Sequence, residues 1–363
     1  MTTQRLDDDE TTSPVLQTVP LGAQWPTVDP FLFCAHHDDD YPAGDDAMAP
    51  AVPIEERDLG SDFSGRDGWS MYHGRSVPGF PNHPHRGFET VTYVRTGLID
   101  HSDSLGAAAR FGRGDVQWLT AGEGIVHAEM FPLLDRERPN PLELFQIWLN
   151  LPAADKLVRP YFTMFWDGDV PVVHAVDADG RAADVTVIAG ALAGVTPLAP
   201  PPDSYAARPD SDVAILHLRL DPGARYVLPA AAGPDTARVL YVFEADSLRV
   251  ADVDVAKDTG VAVRAEVPVE LIAGSAEVEI LVLQGRPIGE PVARYGPFVM
   301  TTDQEIEQAF ADYRDTGFGG WPWPDDAPTH GRDRERFARH VDGRVEEPGP
   351  STEWVDDGRA DGA

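Results

Sequence analysis

The chain has 363 residues, enough for two domains of ordinary size, and a formal net charge of -32. That charge argues against direct nucleic-acid binding, because such binding needs a basic face that replaces phosphate counterions. A single cysteine, Cys34, excludes an intramolecular disulfide, and the sequence contains neither a secretion signal nor a membrane-spanning apolar run. We therefore predict a cytoplasmic protein that contacts neither nucleic acid nor membrane.

The basic residues are almost all arginines, since Lys156 and Lys257 are the only lysines. An acid-rich, lysine-poor surface is typical of proteins that work in concentrated salt, where screening removes the self-repulsion of the charges. The composition therefore predicts a halophilic source. A bacterium with GC-rich codons is the alternative, because that bias also raises Arg, Ala, Asp, Gly and Pro.

The first half of the chain has an acidic, flexible start followed by short strands. Residues 1–26 are acidic and rich in Pro and Thr, and they are predicted to be flexible. In residues 27–195, short segments rich in β-formers alternate with Gly, Asp, Asn and Pro, as in Thr90–Val94, Val116–Leu119 and Leu144–Leu149. Many short strands separated by turn residues indicate a sandwich or a barrel.

A second β-rich stretch follows a Pro-rich linker at about 196–210 and extends to residue 300. Its length and strand density resemble those of the first stretch, which favours a duplicated barrel. Its predicted strands are Val213–Leu220, Arg238–Phe243, Ser247–Val250, Val267–Leu271 and Ala276–Gln284.

One helix is predicted near the C-terminus, over residues 303–315. Thr302 can cap it, Glu305 completes a capping box, and Gly317 can end it. The helix and a return segment would occupy residues 301–324.

The sequence after Trp323 is again acidic and rich in Gly and Pro. Such a composition cannot bury enough apolar surface to offset the entropy of ordering. Residues 325–363 are therefore predicted to form an acidic, flexible tail.

Two short motifs carry the chemistry of the chain. The first, HPHRGFE, contains His83, His85 and Glu89; the second, GIVHAEM, contains His127 and Glu129. Residues i and i+2 of a strand share one face, about 6–7 Å apart, so each motif can present two side chains to one point. Three imidazoles and one carboxylate would form a mixed nitrogen and oxygen site suited to a divalent transition metal.

The residues around these motifs refine the prediction. Pro84 cannot donate a ladder hydrogen bond, so it favours a strand start or an edge strand. If one strand continues from His85, then Glu89 and Val91 share the inward face, and Glu89 is either a ligand or an acceptor from a ligand imidazole. The alternatives are polar residues without a metal, or a structural zinc site, which usually contains cysteine.

Several separate blocks of the sequence resemble the pirin family, a branch of the cupin superfamily. The resemblance covers most of residues 26–320. It implies an all-β protein of two stacked cupin-type β-barrels, a bicupin, with a short C-terminal helix and one metal, usually iron, in the N-terminal barrel. The blocks are DPFLF, FPNHPHRGFETVTYV, HSDSLG, GDVQWLTAGEGIVHAEM, FQIWLNLPAADK and GPFVMTTDQEIEQAF.

The resemblance also implies the ligands of the metal. The histidines of HPHRG correspond to His83 and His85, and the histidine and glutamate of HAE correspond to His127 and Glu129. Because the acid of RGFE is not a metal ligand in the family, the resemblance implies that Glu89 is not a ligand. It leaves Glu89 as a candidate hydrogen-bond acceptor from a ligand imidazole. The same ligand set would also accept Mn, Ni, Co, Cu or Zn.

The second stretch departs from a metal-binding barrel. It contains no His-x-His motif, and His217 is its only histidine. We therefore expect the C-terminal barrel to bind no metal by this mechanism.

Two functions follow from the resemblance. The first is a dioxygenase of the quercetin 2,3-dioxygenase type, acting on a flavonol or a related enolisable aromatic. Glu129 would take the substrate hydroxyl proton, the deprotonated substrate would react with dioxygen, and ring cleavage would release carbon monoxide. Possible apolar walls for the substrate are Phe88, Trp118 and Phe131. The alternative is a non-enzymatic metal-binding regulator that acts through protein partners, as a transcriptional co-regulator or a modulator of metabolic enzymes.

Overall fold

The computed structural model describes residues 13–233 and 235–349, and these are built almost entirely from β-strands. The first twelve strands are β1 Val15–Pro20, β2 Phe31–Tyr41, β3 Gly79–His85, β4 Phe88–Thr96, β5 Leu98–Asp103, β6 Ala108–Gly112, β7 Val116–Thr120, β8 Ile125–Met130, β9 Asn140–Asn150, β10 Tyr161–Phe165, β11 Val172–Val176 and β12 Ala182–Ala189. The other twelve are β13 Ala214–Leu220, β14 Arg225–Leu228, β15 Ala237–Glu244, β16 Leu248–Val250, β17 Val253–Val255, β18 Thr259–Arg264, β19 Val269–Ala273, β20 Val278–Gly285, β21 Ala293–Tyr295, β22 Phe298–Met300, β23 Phe337–Arg339 and β24 Val345–Glu346. The predicted strands are confirmed, with ends that differ by a few residues.

The strands form two domains, each built from a pair of sheets around its own core. The N-terminal domain combines a five-stranded sheet, β10-β7-β4-β9-β2, with a six-stranded sheet, β24-β23-β6-β5-β8-β3. The C-terminal domain combines a seven-stranded sheet, β1-β18-β15-β20-β13-β12-β11, with a four-stranded sheet, β14-β19-β16-β17. The predicted bicupin architecture is confirmed, although hydrogen bonds do not close these sheets into complete barrels within residues 13–233 and 235–349.

The two domains meet through a shared apolar core. Trp25 stacks on Tyr241 with ring centroids 5.1 Å apart, and side chains of the five-stranded and seven-stranded sheets pack around them. Arg95 adds an ionic link, because it donates to Glu143 at 2.6 Å and to Glu279 at 2.5 Å across the interface. His217, the lone histidine of the second stretch, lies 2.7 Å from Glu279 and belongs to this link.

The boundary between the domains differs from the predicted one at residues 195/196. Strands β11 and β12 pair with each other and then with β13, so residues 172–189 belong to the second domain. β1 pairs with β18 and therefore joins the same sheet, although it precedes the first domain in the chain. The Pro-rich stretch at 196–210 connects strands within the second domain's sheet, which is why composition alone misplaces the boundary. The prediction of a flexible start is therefore wrong for residues 15–25, where β1 pairs in this sheet and Trp25 is buried, and residues 1–12 lie outside the described residues.

The predicted helix is confirmed as α1, Asp303–Thr316. The capping box between Thr302 and Glu305 is present, and Gly317 ends the helix in the left-handed conformation, at φ 56°. The buried face of α1 contacts strand β22, where Phe310 lies 4.8 Å from Phe298 between ring centroids. Within the described residues, no helix is long and apolar enough to cross a membrane.

The prediction of a loose tail is wrong for residues 329–346. Strand β23 pairs with β6 and extends the six-stranded sheet, and β24 pairs with β23. Phe337 and Ala338 are buried. Polar anchors compensate for the scarcity of apolar residues, because Arg336 binds Asp115 and the Arg332 guanidinium donates to backbone carbonyls of the N-terminal domain. Residues 350–363 lie outside the described residues.

The charge distribution makes the salt prediction testable. Only eight acidic residues are buried among those that the structure describes: Asp39, Asp62, Glu89, Asp100, Asp103, Asp115, Glu129 and Glu279. The other described carboxylates reach solvent and repel one another in dilute buffer.

We expect a fall in salt from molar to about 0.1 M to lower the thermal midpoint by roughly 10 °C, because the Debye length lengthens and the repulsion is no longer screened. Differential scanning fluorimetry across a potassium chloride series measures the effect. Equal midpoints at both ends of the series would contradict the halophilic interpretation.

Candidate metal centre

The first histidine pair lies on an edge strand that ends in a sharp turn. β3 is the outermost strand of its sheet, which agrees with the presence of Pro84 within it. Gly87 reverses the chain at φ 83°, and a Cβ there would lie 2.0 Å from the Val299 carbonyl oxygen. Lys156 holds the turn by donating to the carbonyls of Gly87, at 2.9 Å, and Val299, at 3.2 Å. The position of His85 is therefore fixed by the packing of this turn.

The structure brings His83, His85 and His127 together. His83 lies directly opposite His127 in the β3–β8 ladder. The ring centroids are 4.4 Å apart for His83 and His127, 4.7 Å for His83 and His85, and 4.9 Å for His85 and His127. One nitrogen from each ring lies within 4.8 Å of the others. Nitrogens that bind one cation at about 2.0–2.1 Å lie roughly 3–3.4 Å apart, so binding would draw the three rings closer together.

The protonation states of the three rings suit metal binding. Burial lowers the pKa of His83 to about 4 and holds the pKa values of His85 and His127 well below the usual range. All three imidazoles are therefore neutral at neutral pH, as a metal ligand must be. The Nδ1 of His83 lies 2.8 Å from the Pro81 carbonyl oxygen and donates to it, so its Nε2 carries the free lone pair.

Unpaired nitrogens support the same interpretation. His85 Nδ1 and both ring nitrogens of His127 are buried and have no hydrogen-bond partner among the described residues. An unpaired buried polar atom costs about 1–3 kcal/mol, and coordination of a cation would remove that cost for one nitrogen of each ring. The residues present therefore fit a divalent transition metal.

Glu129 lies beside this cluster on strand β8, although the three-histidine group does not include it. Its Oε2 is 3.8 Å from His127 Nε2. It accepts hydrogen bonds from the Thr92 hydroxyl at 3.2 Å and from the Gln146 amide at 2.9 Å. Burial raises the pKa of Glu129. A cation at the histidines would oppose that shift and favour the carboxylate.

The prediction that Glu89 faces the metal or a ligand imidazole is wrong. The turn at Gly87 ends β3 and starts β4 on the opposite sheet, so alternation does not continue from His85. Glu89 and Val91 do share a face, but it is the face turned toward the second domain. The fully buried Glu89 carboxylate accepts four hydrogen bonds, and burial raises its pKa to about 7. The donors are Trp118 Nε1, Thr120 Oγ1, Ser204 Oγ and the Tyr205 amide.

The three aromatic residues predicted as walls have different positions. The Phe88 ring lies 5.1 Å from that of His85 and borders the cluster. Phe131 packs against Phe80 and Tyr72, at ring-centroid distances of 6.0 and 5.9 Å. Trp118 belongs to the core between the domains and is therefore not a wall of the site.

Sequence reasoning missed a row of residues that strand β9 contributes to the site. The Trp148 ring lies 5.4 Å from His85 and 4.3 Å from Phe88. Gln146 donates to Glu129, and its Oε1 lies 2.7 Å from the Thr92 hydroxyl, whose single hydrogen is shared between Gln146 and Glu129. The available signal was a polar Gln146 between Leu144 and Trp148 on one face of a predicted strand.

Comparison with known proteins agrees with this architecture. Residues 12–149 match the Pirin family, and residues 215–319 match the Pirin C-terminal cupin domain. The sheets and the histidine cluster define a bicupin protein with a candidate metal centre in its N-terminal domain. The chain belongs to the pirin family.

Individual relatives show how far the similarity extends. A Pseudomonas aeruginosa protein provisionally named quercetin 2,3-dioxygenase is 38% identical over 242 residues, which are 66% of this chain and 79% of that protein. Human pirin is 33% identical over 264 residues, covering 66% of this chain and 78% of the human protein. The crystal structure of quercetin 2,3-dioxygenase from Acinetobacter baumannii has a TM-score of 0.66 at 26% identity, and covers 84% of this chain and 98% of its own.

Proposed function

We propose that the chain is a metal-dependent dioxygenase that cleaves flavonols such as quercetin. His83, His85, His127 and Glu129 would hold one divalent metal, with Fe(II) preferred over Mn, Ni, Co, Cu or Zn. The observation that carries the proposal is the buried histidine cluster, whose neutral rings include three nitrogens without partners among the described residues. The names of its relatives supply the reaction type.

The metal would supply a Lewis acid and open coordination positions for substrate and dioxygen. Glu129 would accept the proton of the substrate hydroxyl. A general base must lie within hydrogen-bond reach of the proton that it takes, and Glu129 shares a strand face with His127. Thr92 and Gln146 would position this carboxylate through their two hydrogen bonds.

The burial of the three histidines indicates the side from which the cluster is reached. His85 and His127 are buried, whereas His83 is partly exposed, so the solvent side of the site lies at His83. Phe80 and Trp148 are also partly exposed, and Phe80 contacts His83 whereas Trp148 contacts His85. A planar aromatic substrate would enter between these rings, and its own surface would displace water from the site.

The proposal is tested by dioxygen consumption with quercetin, using Fe(II)-loaded protein in high salt. We expect turnover with release of carbon monoxide, and a loss of about 100-fold or more in kcat for Glu129→Gln, which keeps the shape of the side chain but cannot accept the proton. Glu137→Gln, at an exposed loop residue, is the matched control and should retain the activity of the parent protein.

The result also separates the proposal from its alternative. If folded, fully metallated protein shows no turnover with quercetin, the dioxygenase proposal fails. The metal-dependent regulatory role would then be the better explanation, and metal-dependent capture of protein partners would be the next experiment.

A further inference from the structure

An exposed arginine lies one aromatic ring away from the candidate metal centre. The hairpin of β21 and β22 runs beside the turn that follows His85, and it places Arg294 over two aromatic rings of the N-terminal domain. The guanidinium carbon is 4.8 Å from the Trp148 ring centroid and 5.9 Å from that of Phe33. Because Trp148 also contacts His85, only one aromatic ring separates this cation from the histidine cluster.

The hydrogen-bonding capacity of Arg294 is mostly unused. It donates to the Leu32 carbonyl at 3.3 Å, and no carboxylate of residues 13–233 or 235–349 forms an ion pair with it. A guanidinium carries five N–H donors, and stacking on a ring leaves its edges free to bind a partner.

The negative net charge of the chain makes a cation near the metal centre important for binding an anionic ligand. The protein has 61 acidic residues against 29 basic ones, so its overall field repels anions. A cation beside the metal centre would offset that field locally and favour the binding of an anionic ligand. Arg294 is such a cation, and partial burial against the rings lowers its pKa without removing its charge at neutral pH.

We propose that Arg294 positions the substrate by binding an anionic group at the end remote from its metal-binding oxygens. The inference rests on the proposed function and narrows its substrate class to planar enolisable aromatics that carry a phenolate, carboxylate or sulfonate. The planar body would lie along the exposed edge of Trp148, and the free N–H groups of Arg294 would bind the anion.

Binding measurements test this role without relying on turnover. Fe(II)-loaded protein is titrated without oxygen, at the lowest salt that keeps it folded, and tryptophan quenching and calorimetry give Kd. The probes are quercetin at pH 6, which is uncharged, and quercetin with a sulfonate on its pendant ring, which carries a fixed negative charge. The variants are Arg294→Gln and Arg294→Lys. The matched control is Arg249→Gln, which removes an exposed arginine of the second domain.

For the sulfonated probe we expect Arg294→Gln to raise Kd about ten-fold and Arg294→Lys to raise it about three-fold, because lysine keeps the charge but not the fork of donors. Kd for quercetin should change by less than two-fold in every variant, and Arg249→Gln should match the parent protein. Added salt should weaken binding of the sulfonated probe to the parent protein more than to Arg294→Gln.

Equal weakening of both probes by Arg294→Gln would overturn the proposal, since it would show loss of packing and not loss of a charge contact. Unchanged affinity for both, or failure of the parent protein to bind either probe, would overturn it as well. The binding measurements can fail independently of the oxygen-consumption test of the proposed function. Charge-selective binding without oxygen consumption would support the role of Arg294 and contradict the dioxygenase proposal. Turnover of quercetin without charge-selective binding would support the dioxygenase proposal and contradict the role of Arg294.

Discussion

Replacement of His85 by alanine is expected to reduce the affinity of the protein for metal by more than about 100-fold. Substitution of a residue that merely supports a ligand typically costs 10–100-fold, and removal of the ligand itself should cost more. Fe or Ni content, measured after loading and desalting, gives the result directly. Retention of full metal content by His85→Ala would show that His85 is not a ligand.

The fold of His85→Ala must be checked separately. His85 forms no ion pair in the described residues, but its buried ring packs against Phe88 and Trp148, so its loss should lower the free energy of unfolding of the metal-free protein by about 1–3 kcal/mol. His174→Ala is the matched control, because that histidine is exposed on the second domain and pairs with Asp184. It should bind metal as the parent protein does.

The alternating motifs could be predicted because their geometry is local. His83 and His85 share one strand, as do His127 and Glu129, and a strand fixes which side chains face the same way. That the two pairs lie close together depends on the pairing of strands β3 and β8. This pairing joins residues distant in the chain, so the local sequence does not predict it. The resemblance to the pirin family supplied that information before the structure did.

Glu89 shows where a local rule fails. Its assignment required one strand to run from His85 to Val91, but the Arg86–Gly87 turn interrupts it and resets the alternation. Gly87 indicates a possible turn at this point, because glycine adopts positive φ at no steric cost. Whether a glycine lies in a strand or ends it depends on what packs against it, here the Val299 carbonyl and Lys156.

The C-terminal segment was misread for a different reason. Composition measures how much apolar surface a segment can bury, and residues 329–346 have little of it. Their order comes instead from polar anchors whose partners lie more than 200 positions earlier in the chain, such as Asp115 for Arg336 and the His101 carbonyl for His330. No window of sequence contains both members of such a pair.

Strand β6 carries the strongest of these anchors, a fully buried ion pair. Arg110 donates to both carboxylate oxygens of Asp100, at 2.6 and 2.7 Å, and also to the carbonyls of Gly331 and Arg334. Asp100 in turn accepts from the His330 amide at 2.8 Å. The pair therefore joins β5 and β6 of the metal-bearing sheet to the C-terminal segment.

Asp100→Ala is expected to destabilise the protein by about 3–5 kcal/mol, because it leaves the Arg110 guanidinium buried without its counter-charge. Urea unfolding in high salt measures the loss, and limited proteolysis should show new cleavage within residues 329–346. Asp254→Ala, which breaks the exposed pair with Arg249, is the control and should cost less than about 1 kcal/mol. If Asp100→Ala were as mild as this control, the segment would have to be held by strand β23 alone. Its order would then come from backbone pairing with β6 and not from buried charge.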